Sequence, residues 1–282
     1  MPKASQLKLH NGVAVLTGAG GGIGAALAIQ LADHGCHLAL VDIRVEGLHA
    51  IAQQARTKGV TVSAHVLDVA QPESASEILA AVKAQHGRAT LLINNAGVAV
   101  GGNFNQVDEV DFDWLMNINF GAVVRLTRAF LPLLGASSAS QIVNISSIFG
   151  LIAPPGQTAY CASKFALRGF SESLRHELEM TNSPVRLSVV HPGGVRTGIA
   201  ENSRTPHGIS DADLAKHRRV WERMLVLSPE VTATRILAGI EKREPRILVG
   251  KDTAQADLLQ RLFPARYWRL MAPLLKRAVK RK

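Results

Sequence analysis

Apolar residues gather into seven short runs, at 13–16, 38–41, 60–66, 91–93, 142–145, 187–190 and 247–249, mostly aliphatic or β-branched. Runs of this kind suit strands buried on both faces. Between them, stretches at about 23–34, 45–57, 73–85, 108–134, 158–180 and 229–241 carry helical periodicity. The last opens Ser228-Pro229-Glu230, a capping serine ahead of a proline at the first helical position. Strand–helix alternation through short loops predicts an α/β fold: a single Rossmann-type doubly wound domain, with a parallel seven-stranded sheet and helices on both faces. No internal repeat or linker interrupts it, so residues 1–250 read as one domain and 251–282 as an extension.

The first strand runs into Thr17-Gly18-Ala19-Gly20-Gly21-Gly22-Ile23-Gly24 and then a helix. Glycines let backbone turn tightly and approach a pyrophosphate, which then sits on a positive helix N-terminus. The spacing is T-G-x-x-x-G-x-G rather than G-x-G-x-x-G. Placed between a first strand and a helix, it favours a nucleotide. Asp42 closes the second strand, where a carboxylate accepts hydrogen bonds from a ribose diol and repels a 2′-phosphate; that favours NAD over NADP. Arg44 complicates the choice, since a cation there partly accommodates a phosphate, and a strand-end aspartate also serves as a plain turn former. Asp68, after the third strand, is placed to hold the adenine amino group. Asn94-Asn95-Ala96-Gly97 ends the fourth strand, beside the expected reversal of strand order, where its amides can tie strands together and Gly97 keeps the ligand side open.

Charge changes little. The net charge is +10, but residues 261–282 hold eight of the 32 Lys and Arg and none of the 22 Asp and Glu, which leaves about +2 for the rest. The basicity belongs to a tail, and no nucleic-acid recognition fold accompanies it. Two cysteines, Cys36 and Cys161, with no cluster at zinc spacing, fit a reducing compartment, no disulfide framework and no metal. The start lacks the apolar run of a signal peptide, and no stretch is expected to reach transmembrane length; the expected location is cytoplasmic.

Tyr160 and Lys164 stand one helical turn apart on one face. A lysine charge within reach favours the phenolate, lowers the tyrosine pKa, and fits it to exchange a proton with an alcohol or carbonyl. Ser147 follows the fifth strand, on a loop able to fold back over Tyr160 and bond a substrate oxygen. Asn119 sits in an apolar helix; it either stabilises a local irregularity or holds a water.

Together, Thr17-Gly18…Gly22-Ile23-Gly24, Asn94-Asn95-Ala96-Gly97, Asn119, Ser147, Tyr160…Lys164 and His191-Pro192-Gly193-Gly194-Val195-Arg196-Thr197 resemble, in order and spacing over about residues 10–250, the short-chain dehydrogenase/reductase family. Cys161 departs from many relatives and leaves the pair intact. The resemblance implies a homodimeric or homotetrameric nicotinamide-dependent oxidoreductase that interconverts a secondary alcohol and a ketone. Carried over by position, Tyr160 is the acid/base and Ser147 positions the substrate oxygen. Lys164 lowers the tyrosine pKa and binds the nicotinamide ribose, and Asn119 holds a relay water. Gly18, Gly20, Gly22, Ile23, Gly24, Asp42, Asp68, Val69, Asn95, Ala96, Gly97, Pro192, Gly193, Val195 and Thr197 line the cofactor, with Tyr160 and Lys164.

Substrate walls are expected from 98–104, from 148–155 and from a lid over about 198–226 that holds Trp221, Met224 and Leu225; together they suggest a neutral, hydrophobic substrate. An ordinary solvated insertion reads the same way. In the tail, Leu258, Leu259, Leu262, Phe263, Tyr267, Leu270, Met271, Leu274 and Leu275 fall at near-helical spacing among cations, with Pro264 and Pro273 expected to break it into short helices. Such a basic amphipathic segment can lie peripherally on an anionic membrane, pack on a neighbouring subunit, or cover the pocket. A cofactor-sensing scaffold that lost its chemistry is the competing function, and an NADP-dependent carbonyl reductase the closer alternative. Intact Asn119, Ser147, Tyr160 and Lys164 argue for an enzyme.

Overall fold

Each of the seven apolar runs forms a strand: β1 (Val13–Thr17), β2 (His37–Asp42), β3 (Val62–Val66), β4 (Leu91–Asn94), β5 (Ser140–Ile145), β6 (Val185–Pro192) and β7 (Arg246–Val249). The computed structural model describes residues 7–199, 202–210, 219 and 222–280, and side chains as far as Pro273. The strands make one parallel sheet in the order β3-β2-β1-β4-β5-β6-β7. The sheet therefore reverses its winding between β1 and β4, and that switch point is where ligands of such folds bind.

The nine α-helices among the described residues are α1 (Gly22–Asp33), α2 (Val45–Arg56), α3 (Ser74–His86), α4 (Glu109–Met116), α5 (Ala122–Gly135), α6 (Thr158–Met180), α7 (Pro229–Glu241), α8 (Lys251–Leu262) and α9 (Tyr267–Lys280). Strand alternation divides the core. Ala14 and Leu16 join Leu27, Leu31, Leu40 and Ile236 on one face of the sheet. Val15 joins Val41, Leu92, Phe130 and Leu134 on the other. Ser228 caps α7 by accepting the Val231 N–H at 3.2 Å, as its sequence predicts.

Three expectations change. The stretch at 108–134 is two α-helices joined by a π-helical turn, Asn117–Gly121. The joined run Glu109–Gly135 is 27 residues long and apolar enough to reach transmembrane length by length and composition, contrary to the sequence reading. Its apolar side, Leu126, Phe130 and Leu134, is buried against the sheet. In the tail α8 stops before Pro264 as expected, but α9 runs through Pro273. Proline removes one N–H bond and crowds the preceding turn, at about 3 kcal/mol, without compelling the chain to stop.

Candidate active site

The glycine turn is shaped by two left-handed residues, Gly18 at φ 67° and Gly22 at φ 55°. It is laced to the exit of β4 through Thr17. Thr17 Oγ1 accepts the N–H groups of Asn95 and Ala96, each at 3.0 Å. Asn95 Nδ2 donates back to the carbonyls of Thr17 at 3.0 Å and Gly18 at 3.1 Å. A Cβ on Gly24 would strike the Gly18 carbonyl, so α1 starts hard against the turn, with Ile23 and Gly24 in its first turn. Amide ties expected of the β4 end are present: Asn94 Nδ2 donates to Asn144 Oδ1 at 2.8 Å, and Asn144 Nδ2 to Ser171 Oγ at 2.9 Å.

Asp42 is buried at the end of β2. Its Oδ2 accepts the Gly20 N–H at 2.7 Å and its Oδ1 accepts the Arg44 N–H at 2.9 Å. Arg44 Nε also lies 3.4 Å from Oδ1, and the guanidinium crosses Gly21, where a Cβ would stand 2.7 Å from Nη2. Acid and base thus share one corner of the turn. Asp68 takes a local role: Oδ1 accepts the Ala70 N–H at 2.9 Å and Oδ2 accepts from Gln71 Nε2 at 3.2 Å, closing the turn into α3. The Val69 carbonyl accepts from Arg125 Nη2 at 3.1 Å. After β6, which ends at Pro192, the Gly193 N–H donates to Val249 O at 2.9 Å, Val195 is buried in a bridge with Leu227, and Thr197 returns over Gly22. The sequence-predicted cofactor positions thus surround the carboxyl ends of β1, β2, β3, β4 and β6.

Lys164 is buried on α6; its Nζ donates to the Ile145 carbonyl at 3.1 Å and lies 5.5 Å from the Tyr160 ring centroid. The Ser147 hydroxyl accepts the Phe149 N–H at 3.1 Å and stands close enough to the Tyr160 phenol to lower its pKa. Asn119 lies in the π-turn, so the expected irregularity is there. Its Oδ1 accepts the Val98 N–H at 2.9 Å, and its Nδ2 donates to Val98 O at 3.0 Å and Ser163 Oγ at 3.2 Å. Both amide hydrogens are committed, which leaves one Oδ1 lone pair for a water. Gly97 faces this group, since a Cβ there would stand 3.2 Å from Asn119 Oδ1 and 3.6 Å from Lys164 Nζ.

The electrostatics differ from the sequence reading. Burial pushes the Tyr160 phenol up to about 12, against the opposing pull of the Ser147 hydroxyl. Burial likewise pushes Lys164 down to about 8. Among protein groups alone desolvation wins: the ammonium is spent on the Ile145 carbonyl, and burial of the phenol outweighs the Ser147 hydroxyl.

In the sequence His191 stands only as part of the motif after the sixth strand. It is fully buried on β6, and its Nδ1 lies 2.9 Å from the Ser147 carbonyl, which fixes Nδ1 as the donor. Burial pushes its pKa down to about 4, so it stays neutral. Behind the Ser147 loop, Arg168 Nη1 donates to Gly150 O at 3.3 Å and Nε to Glu172 at 3.1 Å; Arg246 joins Glu172 to Asp257 of α8. Burial opposes ionisation of Glu172, but Arg246 and Arg168 outweigh it and hold the carboxyl below its usual value. A buried histidine in an apolar strand was the available signal for the first contact; spacing gave none for the second.

The expected walls converge on Tyr160. One apolar cluster sets its ring beside Val98, Val100, Leu115 and Trp114, a second beside Phe149, Ile152 and Cys161. The described part of the segment expected as a lid crosses the first wall: the Arg204 N–H donates to Ala99 O at 3.2 Å, and its guanidinium lies 3.7 Å from the Trp114 ring centroid. Trp221 lies outside the described residues, whereas Gly194 packs against Met224 and Leu225.

Comparison with known proteins agrees with this geometry. Residues 12–208 match the family described as short chain dehydrogenase. The chain is 42% identical over 261 residues to SadH of Mycobacterium tuberculosis, which is named as an oxidoreductase, covering 92% of this chain and 94% of that one. Its backbone superposes on a short chain dehydrogenase/reductase from Burkholderia phymatum in complex with NAD with a TM-score of 0.84 at 29% identity, covering 91% of this chain and 95% of the other. A metagenomic short-chain oxidoreductase in complex with NADP gives 0.69 at 30% identity, covering 86% and 98%.

Proposed function

The chain belongs to the short-chain dehydrogenase family and is an oxidoreductase of that kind, and from this premise we propose that it interconverts a neutral, hydrophobic secondary alcohol and its ketone with NAD. The observation that carries the reading is the meeting of the Tyr160 and Ser147 hydroxyls beside Lys164 and Gly97, between two apolar walls.

The residues present fit a dinucleotide. Glycines let the turn close tightly, since a Cβ on Gly18, Gly20, Gly22 or Gly24 would press on its neighbours, and the Asp42 carboxylate stands at the turn. Gly18, Gly20, Gly22, Ile23 and Gly24 would hold the pyrophosphate, Asp42 the adenine ribose, Asp68 and Val69 the adenine, and Asn95, Ala96, Gly97, Pro192, Gly193, Val195 and Thr197 the nicotinamide half with Tyr160 and Lys164. When bound, NAD supplies the hydride acceptor in oxidation, and its reduced form the donor in reduction. The Ser147 hydroxyl donates to the substrate oxygen and orients it. Tyr160 takes the hydroxyl proton from the alcohol, or returns it to the carbonyl oxygen. Lys164 favours the phenolate, and Asn119 leaves an acceptor for a water that passes the proton outward. The ion pair of Asp42 with Arg44 favours NAD by keeping a carboxylate at the ribose, while Arg44 supports a second reading, an NADP-dependent carbonyl reductase. A screen of secondary alcohols for NADH formation, with NADP in parallel, tests both. Tyr160→Phe is expected to abolish turnover, by about 10²–10⁴-fold, while NADH still binds; retained turnover defeats the assignment.

We propose further that the enzyme is a cytoplasmic homodimer or homotetramer. Two free, buried thiols support a reducing compartment, and light scattering of the full chain tests the assembly. Leu258, Leu262, Phe263 and Leu270 are exposed on α8, α9 and their junction beside Arg261, Arg266 and Arg269, which supports peripheral contact with an anionic membrane. Flotation with anionic vesicles, with and without residues 255–282, tests it, and equal flotation retires it.

A further inference from the structure

We propose that Tyr267, on the C-terminal helix α9, is a positioning residue for the loop that carries Ser147. The Ala153 N–H donates to Tyr267 Oη at 2.8 Å, although 114 positions separate the two in sequence. The Tyr267 ring and Met271 pack against Phe149, Ile152, Cys161 and Ala256, the cluster against which the Tyr160 ring also rests.

Three hydrogen bonds from nitrogen or oxygen groups outside it clamp the loop 147–153, and Cys161 Sγ adds a weaker tie to the Ile152 carbonyl at 3.9 Å. His191 holds the Ser147 carbonyl, Arg168 holds the Gly150 carbonyl, and Tyr267 holds the Ala153 amide. The first two clamps come from β6 and α6 beside the reacting groups; the third comes from outside the sheet and its flanking helices. It has a firm base, since Thr253 Oγ1 of α8 donates to Val249 O at 3.0 Å and Asp257 pairs with Arg246 at 3.4 Å. The need for it is local. Beyond the short turn Ile148–Gly150, the segment runs through Ala153, Pro154 and Pro155 without regular structure before α6 begins at Thr158. A backbone free at that end would carry the Phe149 N–H away from Ser147 Oγ and misdirect the hydroxyl. The ring and the phenol divide the task. Ala153 is exposed, so water replaces a lost Oη at small cost; losing the ring opens a void under Phe149 and Ile152. The proposal rests on the reading of Ser147 and Tyr160 as the groups that handle the substrate oxygen.

The test compares Tyr267→Ala, Tyr267→Phe and Met271→Ala in the full chain. It measures amide hydrogen exchange over 148–157, NADH affinity by fluorescence, and steady-state kinetics with the best alcohol from the screen. Tyr267→Ala is expected to speed exchange at 148–153 by about tenfold or more and to lower kcat by about tenfold. NADH affinity should stay within about twofold, because the cradle is untouched. Tyr267→Phe should recover most of both losses, and Met271→Ala should show a smaller change of the same kind. Wild-type exchange at 148–153 in Tyr267→Ala overturns the proposal, as does a fall in kcat matched by an equal loss of NADH affinity. If the wild type turns over no alcohol, the functional reading fails while the exchange result still decides the clamp. Should Tyr267→Ala fail to fold, Met271→Ala decides by the same measurements.

Discussion

Lys164 Nζ lies 5.5 Å from the centre of the Tyr160 ring and gives a hydrogen bond to the Ile145 carbonyl, not to the phenol. The two side chains share a pocket where burial disfavours the charged form of each.

Lys164→Ala therefore removes a cation from a group already difficult to ionise. Lys164 holds its proton below about 8, so its charge is present at neutral pH. Without it, the rising limb of kcat/KM for alcohol oxidation should move to higher pH by about 1–3 units, with a loss of about 10²-fold at pH 7. A pH–rate profile checks this; an unmoved limb would show that Lys164 does not tune the phenol.

His191 makes folding acid-sensitive. Its folded pKa of about 4 lies below the ordinary 6.5, so the unfolded chain binds the proton more readily. Its contribution is complete above pH 6.5 and is lost as pH falls toward 4, by about 3 kcal/mol at 1.36 kcal/mol per unit. Burial lowers His65 and His86 too, and they act in the same direction. Urea unfolding at pH 7.5 and pH 5 should show the loss, and His191→Asn should start less stable but lose less.

Asp42→Ala should reverse cofactor choice. It removes the carboxylate that repels a 2′-phosphate and frees Arg44, whose guanidinium already crosses Gly21. The ratio of kcat/KM for NADP to that for NAD is expected to rise by about tenfold or more. Some stability should go with it, because the N–H groups of Gly20 and Arg44 lose their acceptor.

Gly97→Ala tests the close approach at the heart of the site. The added methyl would stand 3.2 Å from Asn119 Oδ1 and 3.6 Å from Lys164 Nζ. Asn119 must then shift by a few tenths of an ångström and strain its bonds to Val98, at a cost of about 1–3 kcal/mol. Thermal unfolding and kcat should fall together, while Gly87→Ala, with open space around its Cβ but φ 69°, should leave kcat unchanged.

The sequence by itself determined the strands, their parallel arrangement, the glycine turn after β1 and the one-turn spacing of Tyr160 and Lys164. These follow from periods of two and 3.6 residues and from backbone sterics, which act between near neighbours. It also marked Asn119 for either a local irregularity or a held water, because an amide in an apolar helix needs partners. Only the tertiary structure decided that the Tyr160 phenol is pushed up rather than down, that the Asp68 carboxylate also closes its own turn, that His191 holds the Ser147 carbonyl, and that Tyr267 reaches Ala153. Desolvation depends on every atom packed around a group, and a hydrogen bond across 114 positions exists only after the chain has closed. Neither quantity is carried by local spacing, which is why the chemistry was legible along the chain and its tuning was not.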